Sequence, residues 1–268
     1  MPGYPTSLGT SDAATITVLG QDLGADLMGK VGFGELAFWL VAMRRPTPGE
    51  LRVFEAVLVA LAEHGFTTSA IAARLTLTGA PESVQGAMAA GLLSGGSRFL
   101  GVTEDCGRFL SVTLAEHTQS GAAIPTTGEA WDDLAREAVR AQRAAGRFVP
   151  GLGHAVHKHV DPRTPVLIAI ATEEGVLGPH LRLFEAIGRV HPEVLGRTLP
   201  LNGAGVCGAA LSDLGFAPEI LRGFALLSRA AGLVGHIAEE MRRPVGQAIG
   251  NEVNGATDYL APGDDARS

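Results

Sequence analysis

Residues 47–65, TPGELRVFEAVLVALAEHG, hold the pattern that decides the fold class. Thr47 is placed as an N-cap, Pro48 as the first helical residue, and Glu50 as the partner of Thr47 in a capping box. Apolar residues then recur at helical spacing, at positions 51, 54, 57, 58 and 61. The stretch therefore predicts a helix that begins at Pro48 and ends near His64.

The same combination of a helix-start signal and helical apolar spacing recurs along the chain. We find no convincing strand pattern, except for a possible short pair within residues 15–32. The predicted fold class is therefore all-α. The further predicted helical segments are opened by residues 81–83 and by residues 127, 165, 179 and 217–219, and they end at or near residues 93, 146, 175, 190 and 241.

Composition limits the class of protein. The chain has 268 residues, which is enough for one large domain or two modest ones. It carries 36 glycines but only 5% aromatic residues, a balance that favours helices packed on small side chains over β-structure. The net charge of −7 disfavours a nucleic-acid-binding protein. Two cysteines make no disulfide framework, and no signal peptide or membrane-spanning run is visible. We therefore expect a cytoplasmic protein without a membrane partner.

Three histidines stand beside glycine at predicted helix ends, namely His64, His154 and His236. Glycine allows a ligand or a backbone to approach closely, and a histidine placed there can donate a hydrogen bond or carry a proton near neutral pH. Any one of these histidines alone is more typical of a structural residue. A function follows only from the blocks of sequence in which they lie.

One of these blocks also tempts a metal interpretation. His157, His159 and Asp161 have the spacing of the metal motif in metallo-β-lactamase-type hydrolases. That motif needs a further histidine directly after the aspartate, where this chain has Pro162, and it belongs to an α/β fold. We therefore expect no metal site.

Several blocks, in order along residues 15–255, resemble the citrate synthase superfamily. The segment GLGHAVHKHVDPR at 151–163 is similar to its G-x-G-H-x-V-x-K-x-x-D-P-R motif. The remaining blocks are residues 33–60, AEHGFTTSAIAAR at 62–74, LNGAGVCG at 201–208, SRAAGLVGH at 228–236 and RRP at 242–244. Because these blocks keep the family's order, the chain is identified as a relative of that superfamily.

The resemblance implies an all-α homodimer with a shared active site that acts on a coenzyme A thioester. It implies a large helical domain formed by residues 1–98 and 204–268 and a smaller inserted, CoA-binding domain at 99–203. Its ligands are small molecules, a CoA thioester and a 2-oxoacid, and no metal is required. The implied catalytic residues are His64 and His154; the implied substrate-binding residues are Arg163, Asn202, Arg229 and Arg243, the last reaching the other subunit; and the implied CoA-binding residues are Gly151, Gly153 and Lys158.

Two departures decide which branch of the family the chain resembles. Citrate synthases carry an enol-stabilising histidine in a glycine-rich loop, where this chain has Ser94 or Phe99, depending on register. The segment GLLSGGSRFLG at 91–101 better resembles the C-terminal citryl-CoA lyase module of ATP-citrate lyase. Ala204 stands where the family has its catalytic aspartate, and alanine cannot move a proton. Asp213 is expected on a helix surface and not as a substitute.

These observations predict a citryl-CoA lyase-like enzyme. It would cleave citryl-CoA, or a related 3-hydroxy-3-carboxyacyl-CoA, into acetyl-CoA and a 2-oxoacid such as oxaloacetate. Two alternatives remain open. One is a citrate synthase-type condensing enzyme, and the other is a non-catalytic or repurposed relative that binds CoA thioesters.

Overall fold

The computed structural model describes residues 3–262, and helices dominate that part of the chain. Three short strands and a single π-helical turn, Leu23–Leu27, precede the helices. The strands are β1 (Gly9–Ser11), β2 (Ile16–Val18) and β3 (Gln21–Asp22), and the helices are α1 (Phe33–Ala42), α2 (Pro48–Ala62), α3 (Thr68–Gly79), α4 (Val84–Leu93), α5 (Val102–Gln119), α6 (Gly128–Ala144), α7 (Arg163–Glu173), α8 (Pro179–Leu195), α9 (Gly203–Asp213), α10 (Pro218–Arg242) and α11 (Gly246–Gly255). The predicted all-α fold class is confirmed.

Helix starts follow the capping signals of the sequence. At the start of α2, the backbone N–H of Thr47 donates to the Glu50 carboxylate over 2.8 Å, and the N–H of Glu50 donates to the Thr47 hydroxyl over 3.3 Å. This reciprocal pair is the predicted capping box. Arg44 also bonds Glu50, and this contact, with the Thr47 N–H, lowers the pKa of Glu50 to about 2 against the opposing effect of partial burial.

The strands form one small antiparallel sheet in the order β1-β2-β3. The pair β2 and β3 lies within residues 15–32, where the sequence predicted it. Strand β1 was not predicted, because Gly9, Thr10 and Ser11 are all exposed and show no apolar alternation. Its pairing with β2 comes from backbone hydrogen bonds alone.

The chain divides into two compact units. Unit 1 holds the described residues through Leu61 and Leu100–Ala225, and unit 2 holds Ala62–Phe99 and the described residues from Leu226 onward. These boundaries differ from the predicted division into 1–98 with 204–268 and 99–203. The reason is that α9 packs against α5 and α8 within unit 1. A Cβ on Gly208 of α9 would overlap the Thr103 carbonyl of α5, so the two helices are in backbone contact.

An aromatic cluster lies in the core of unit 1. The rings of Phe38 and Phe54 meet edge to face with centroids 5.4 Å apart, and the rings of Phe216 and Phe224 lie 4.6 Å apart. Phe54 and Phe224 join the two pairs at 5.0 Å. Offset and edge-to-face contacts of this kind add to the free energy gained from burial. The cluster packs α1, α2 and the start of α10 together.

Unit 2 has its own apolar core, formed by α3, α4 and the later part of α10. Ala73 and Leu77 of α3 pack with Ala87 of α4 and with Leu233 and Ile237 of α10. Small residues allow these helices to approach closely, since Ala73 and Ala87 are fully buried and a Cβ on Gly91 of α4 would lie 3.1 Å from Ser69 O of α3. The core thus holds in place the faces of α3 and α10 that carry the polar residues described below.

Helix α10 has 25 residues and is long and apolar enough to cross a membrane by length and composition. Core helices of folded domains pass the same test, and 44% of its most apolar segment is buried inside the protein. Its buried residues include Arg229, His236 and Glu240. Because these polar groups have partners within unit 2, we interpret α10 as a core helix.

Both cysteines are buried and free. Cys106 lies in α5 and Cys207 in α9, and both helices belong to unit 1. Burial raises the pKa of both thiols, and that of Cys207 reaches about 12. The expectation that they form no disulfide framework agrees with this arrangement.

Candidate active site

The loop between α6 and α7 carries most of the predicted site residues of unit 1. Its first residues pair with the chain before α9 through an isolated β-bridge between Leu152 and Leu201. The N–H of Gly153 donates to Pro200 O over 2.8 Å, and the N–H of Asn202 donates to Gly151 O over 2.9 Å. This short two-stranded contact fixes the loop immediately before His154.

The two glycines of this loop serve different purposes. Gly151 and Gly153 both have positive φ angles, +85° and +86°, which glycine adopts without strain. Gly151 is buried, and a Cβ there would lie 2.6 Å from the Phe184 ring. Nothing lies within 4 Å of a Cβ built on Gly153, so its backbone faces open space. Gly151 is therefore needed for packing, whereas Gly153 leaves room for a ligand.

His154 is held in one orientation by its own loop. Its Nδ1 accepts hydrogen bonds from the backbone N–H groups of Val156 and His157, both over 3.0 Å. A nitrogen that accepts two N–H groups carries no proton, so the ring proton lies on Nε2. The side chain is only partly buried. In this neutral tautomer the Nε2–H of His154 is a hydrogen-bond donor.

The residues after His154 close the loop. The Lys158 ammonium donates to Ala155 O over 2.6 Å and is exposed. The His157 ring lies 4.5 Å from the His154 ring, at an interplanar angle of 31°. His159 is exposed. Lys158 therefore stabilises the loop conformation with a charge that remains accessible at the surface.

Asp161 and Arg163 form a bidentate pair at the start of α7. The Asp161 carboxylate is fully buried and accepts hydrogen bonds from Arg163 Nε over 2.9 Å and from Arg163 Nη2 over 2.7 Å. It also accepts the N–H of Gly203 over 2.7 Å. Burial acts to raise the pKa of Asp161, but these hydrogen bonds and the charge of Arg163 outweigh it and lower the pKa to about 2.

This pair bears on two predictions. Arg163 was expected to bind a substrate carboxylate, yet Asp161 occupies one edge of its guanidinium and Ala60 O accepts Nη1 over 3.2 Å. Both oxygens of Asp161 are engaged as well, and the expectation that His157, His159 and Asp161 form no metal site stays a prediction. A substrate-binding role for Arg163 stays a prediction.

Asn202 connects the loop to α9. Its Oδ1 accepts the N–H of Gly205 over 2.8 Å and so caps the helix, while its Nδ2 donates to Gly153 O over 2.8 Å. The residue is buried. Its amide thus holds the backbone just before His154, a positioning contact that the sequence did not predict. The predicted contact with substrate is not tested by this geometry.

The first turn of α9 presents Ala204, which is half-buried. No group that transfers protons stands at this position. Asp213, at the other end of α9, is not on the helix surface as expected, and that prediction is wrong. Its side chain is 1% exposed and accepts the N–H groups of Gly178, His180 and Leu181 at the start of α8. Asp213 therefore anchors a neighbouring helix, a contact that spacing within α9 does not reveal.

Ser111, His180 and Asp213 stand in the order found in hydrolase triads. His180 Nδ1 lies 2.8 Å from Asp213 Oδ1, and His180 Nε2 lies 3.1 Å from Ser111 Oγ. Triads also need N–H donors for an oxyanion. Here the N–H groups at the start of α8 are taken by Asp213, and Ser111 lies inside α5, where its own N–H belongs to the helix. We therefore interpret the hydrogen-bonded series of Ser111, His180 and Asp213 as structural.

The remaining predicted residues lie in unit 2. His64 follows Glu63 at the end of α2 and is partly buried. Arg229 of α10 is buried, and its Nη1 lies 3.6 Å from the Glu63 carboxylate. Gly232 makes this approach possible, because a Cβ there would overlap Ala62 O. The structure thus brings Arg229 to the turn that carries His64.

A buried network of polar side chains lies beside this turn, and the sequence did not predict it. Arg74 is 1% exposed and donates to His236 and Glu240 over 3.0 and 2.9 Å, and it also contacts Glu239. His236 Nε2 lies 3.0 Å from the Glu63 carboxylate. Both Arg74 and His236 lie inside the family-like blocks, so the available signal was their position in those blocks.

Arg243 follows α10 directly. It is exposed, and its N–H donates to Glu239 O. Nothing in the described part of this single chain tests its predicted contact with another subunit.

Comparison with known proteins confirms the predicted resemblance to the citrate synthase superfamily. The family model "Citrate synthase, C-terminal domain" matches residues 24–249. The structure of citryl-CoA lyase from Hydrogenobacter thermophilus has a TM-score of 0.82 and 28% identity and covers 96% of this chain and 94% of that chain. ATP citrate lyase from Methanosaeta concilii, in complex with (3S)-citryl-CoA, has a TM-score of 0.73 and 21% identity over 99% of this chain but 43% of that chain. Citrate synthase from Thermotoga maritima has a TM-score of 0.65 and 18% identity over 86% and 57%. No curated protein sequence matches significantly.

Proposed function

Because the chain belongs to the citrate synthase family, we propose that it is a carbon–carbon lyase acting on a CoA thioester. The proposed substrate is citryl-CoA or a related 3-hydroxy-3-carboxyacyl-CoA, and the products are acetyl-CoA and a 2-oxoacid such as oxaloacetate. The observation that carries this proposal is the likeness to the citryl-CoA lyase, which extends over nearly the whole of both chains. The citrate synthase is matched over little more than half of its length.

The cleavage is a retro-aldol reaction. A base takes the proton of the C3 hydroxyl, the bond between C2 and C3 breaks, and its electron pair forms the thioester enolate. The enolate carbon then takes up one proton from an acid, so the proton removed from the hydroxyl is returned overall. His154 is our candidate donor to the C3 oxygen, since its Nε2 carries the ring proton. A donor aimed at that oxygen stabilises the negative charge that it carries once the hydroxyl has lost its proton, before the charge moves to the enolate. His64 is the second proposed catalytic imidazole, and its role is to donate to the enolate.

We assign binding of the substrate carboxylates to Arg229, Arg243 and Arg163. A planar guanidinium matches a carboxylate with two parallel hydrogen bonds, and a tricarboxylate needs several cations. Arg163 is already paired on one edge with Asp161 and donates from Nη1 to Ala60 O, so its contribution would come through its remaining N–H groups. The CoA portion is assigned to Gly151, Gly153 and Lys158, and the open space above Gly153 supports close approach of a ligand there.

The experiment is to incubate the purified protein with citryl-CoA and follow oxaloacetate and CoA separately. Formation of oxaloacetate with acetyl-CoA supports the lyase, and a malate dehydrogenase coupling assay reads it as loss of NADH. Citrate with free CoA would indicate a hydrolase of the synthase type. His154→Ala and His159→Ala form a matched pair, because both lie in one loop and only His154 has its ring fixed by backbone N–H groups.

One observation favours a second candidate. Ala204 stands where the family has a catalytic aspartate, and loss of a general acid or base typically costs about 10²–10⁴ in rate. This favours a CoA-thioester-binding protein without turnover. Binding of citryl-CoA by calorimetry, together with no product in either direction over hours, would support that function and contradict the lyase.

We also propose that the protein is a homodimer. An apolar groove of about 360 Å³ lies between α2 and α7 in unit 1, and Val59 and Val166 at its edge are 77% and 58% exposed. Exposed apolar surface of this kind supports an interface with a second copy. Sedimentation equilibrium at micromolar concentration should give a dimer, and Val59→Lys should shift it toward monomer. A wild-type monomer over this range would refute the proposal.

A further inference from the structure

A continuous series of polar contacts runs through unit 2 and leads to two residues of the proposed site, the catalytic His64 and the substrate-binding Arg229. It begins at Glu240, whose carboxylate accepts the N–H groups of Val245 and Gly246 over 2.9 and 2.7 Å. Glu240 then accepts Arg74 Nη1. The Arg74 guanidinium lies 4.8 Å from the centroid of the Phe66 ring, which covers one of its faces. Arg74 is therefore fixed on several sides.

The donor and the acceptor of each hydrogen bond between Arg74, His236 and Glu63 can be assigned. Arg74 Nε carries a proton and can only donate, so His236 Nδ1 must accept over 3.0 Å. A neutral His236 then has its proton on Nε2. That proton points at the Glu63 carboxylate, whose two oxygens lie 3.0 and 3.1 Å from Nε2. Arg74 thus selects the histidine tautomer that can hold Glu63.

The oriented Glu63 carboxylate contacts two parts of the proposed site, the turn that contains His64 and the side chain of Arg229. Its carboxylate accepts the N–H of Gly65 and so fixes the turn that contains His64. The same carboxylate lies 3.6 Å from Arg229 Nη1. Because the Glu63 side chain is about half exposed, loss of the contact from His236 would leave it less firmly oriented, held only by the Gly65 N–H and the nearby Arg229.

We propose that His236 is a positioning residue for substrate binding, acting through Glu63 on His64 and Arg229. This inference rests on the proposed function, since it assumes that Arg229 binds a substrate carboxylate. Such binding is present in both the ground state and the transition state. Disorder of Arg229 should therefore raise KM, while displacement of His64, the proposed donor to the enolate, should lower kcat.

The test compares His236→Phe with His236→Gln. Phenylalanine keeps the ring and removes both hydrogen bonds, while glutamine retains a carbonyl for Arg74 and an amide N–H for Glu63. We expect His236→Phe to raise KM for citryl-CoA about tenfold or more, and His236→Gln to stay within about threefold of wild type. His191→Gln is the matched control, because His191 is buried in unit 1 between Ile187 O and the N–H of Leu199. It should change Tm without changing KM.

A second readout does not depend on turnover. Nitrogen-15 spectra of the histidines should show the His236 proton on Nε2, and His236→Phe should shift the His64 resonances while His236→Gln preserves them. A proton on Nδ1 of His236, or equal KM for all variants at equal activity, would overturn the inference. If the wild type does not cleave citryl-CoA, the proposed function fails, and the spectra alone decide whether His236 positions this turn.

Discussion

Replacing Asp161 with Asn tests how much the buried carboxylate contributes to the fold around the candidate site. The pKa of Asp161 is lowered from 3.8 to about 2. At 1.36 kcal/mol per pKa unit, the ionised carboxylate contributes about 2 kcal/mol to the free energy of unfolding at pH 7. Breaking a buried pair by removing one partner often costs about 3–5 kcal/mol, so we expect a loss of at least about 2 kcal/mol.

The pH dependence gives a sharper test. A carboxyl group whose pKa is lowered in the folded state stabilises the protein above its unfolded pKa, and this contribution is lost as the pH falls through the folded pKa. The stability difference between wild type and Asp161→Asn should therefore be full at pH 5 and smaller by about 1 kcal/mol at pH 3, where about half of the contribution from ionisation is lost. Urea unfolding across this range measures it, and Asp133→Asn, at an exposed ion pair with Arg136, should change stability by less than about 1 kcal/mol at any pH. A pH-independent difference for Asp161→Asn would refute the reasoning.

Three further results are expected. Gly203→Ala should destabilise the protein by about 1–3 kcal/mol in urea unfolding, because its Cβ would overlap the Arg163 guanidinium; an unchanged midpoint would contradict the packing. His154→Ala should lower kcat about 100-fold or more with CoA binding retained, whereas His159→Ala should have little effect in the same assay. Arg243→Ala should raise KM for a carboxylated substrate about tenfold, the value of one charge-assisted contact, and unchanged kinetics would exclude it from the site.

Local signals in the sequence predicted α2, α4, α6, α7, α8 and α10, because capping is decided within four residues. They did not indicate α5 or α11. The capping box of Thr47 and Glu50 is an example, and its geometry follows the pattern. The role of Asp213 could not be predicted in the same way. Its three N–H donors lie more than 30 residues away in sequence, at the start of another helix. Helical spacing describes only where a residue stands on its own helix.

The candidate site shows the same division. Motif resemblance predicted His154 as a catalytic residue, and that role stays a prediction. The structure adds the two backbone N–H groups that hold its Nδ1. The network of Arg74, His236 and Glu240 joins residues about 160 positions apart, so no local pattern can indicate it. The domain boundaries implied by the resemblance separated α9 from α5 and α8, whereas the structure packs these three helices together in unit 1. No local pattern states which helix a run of small residues will pack against.

The two buried thiols are natural probes of local unfolding in unit 1. Cys106 and Cys207 are the only cysteines in the chain, and both lie in unit 1. A thiol reagent reacts with the thiolate, which burial suppresses at both positions. Alkylation in dilute urea should therefore report the rate at which unit 1 opens, while unit 2 stays silent because it contains no cysteine. The sequence thus supplies, without any engineered label, a way to time the unfolding of one unit separately from the other.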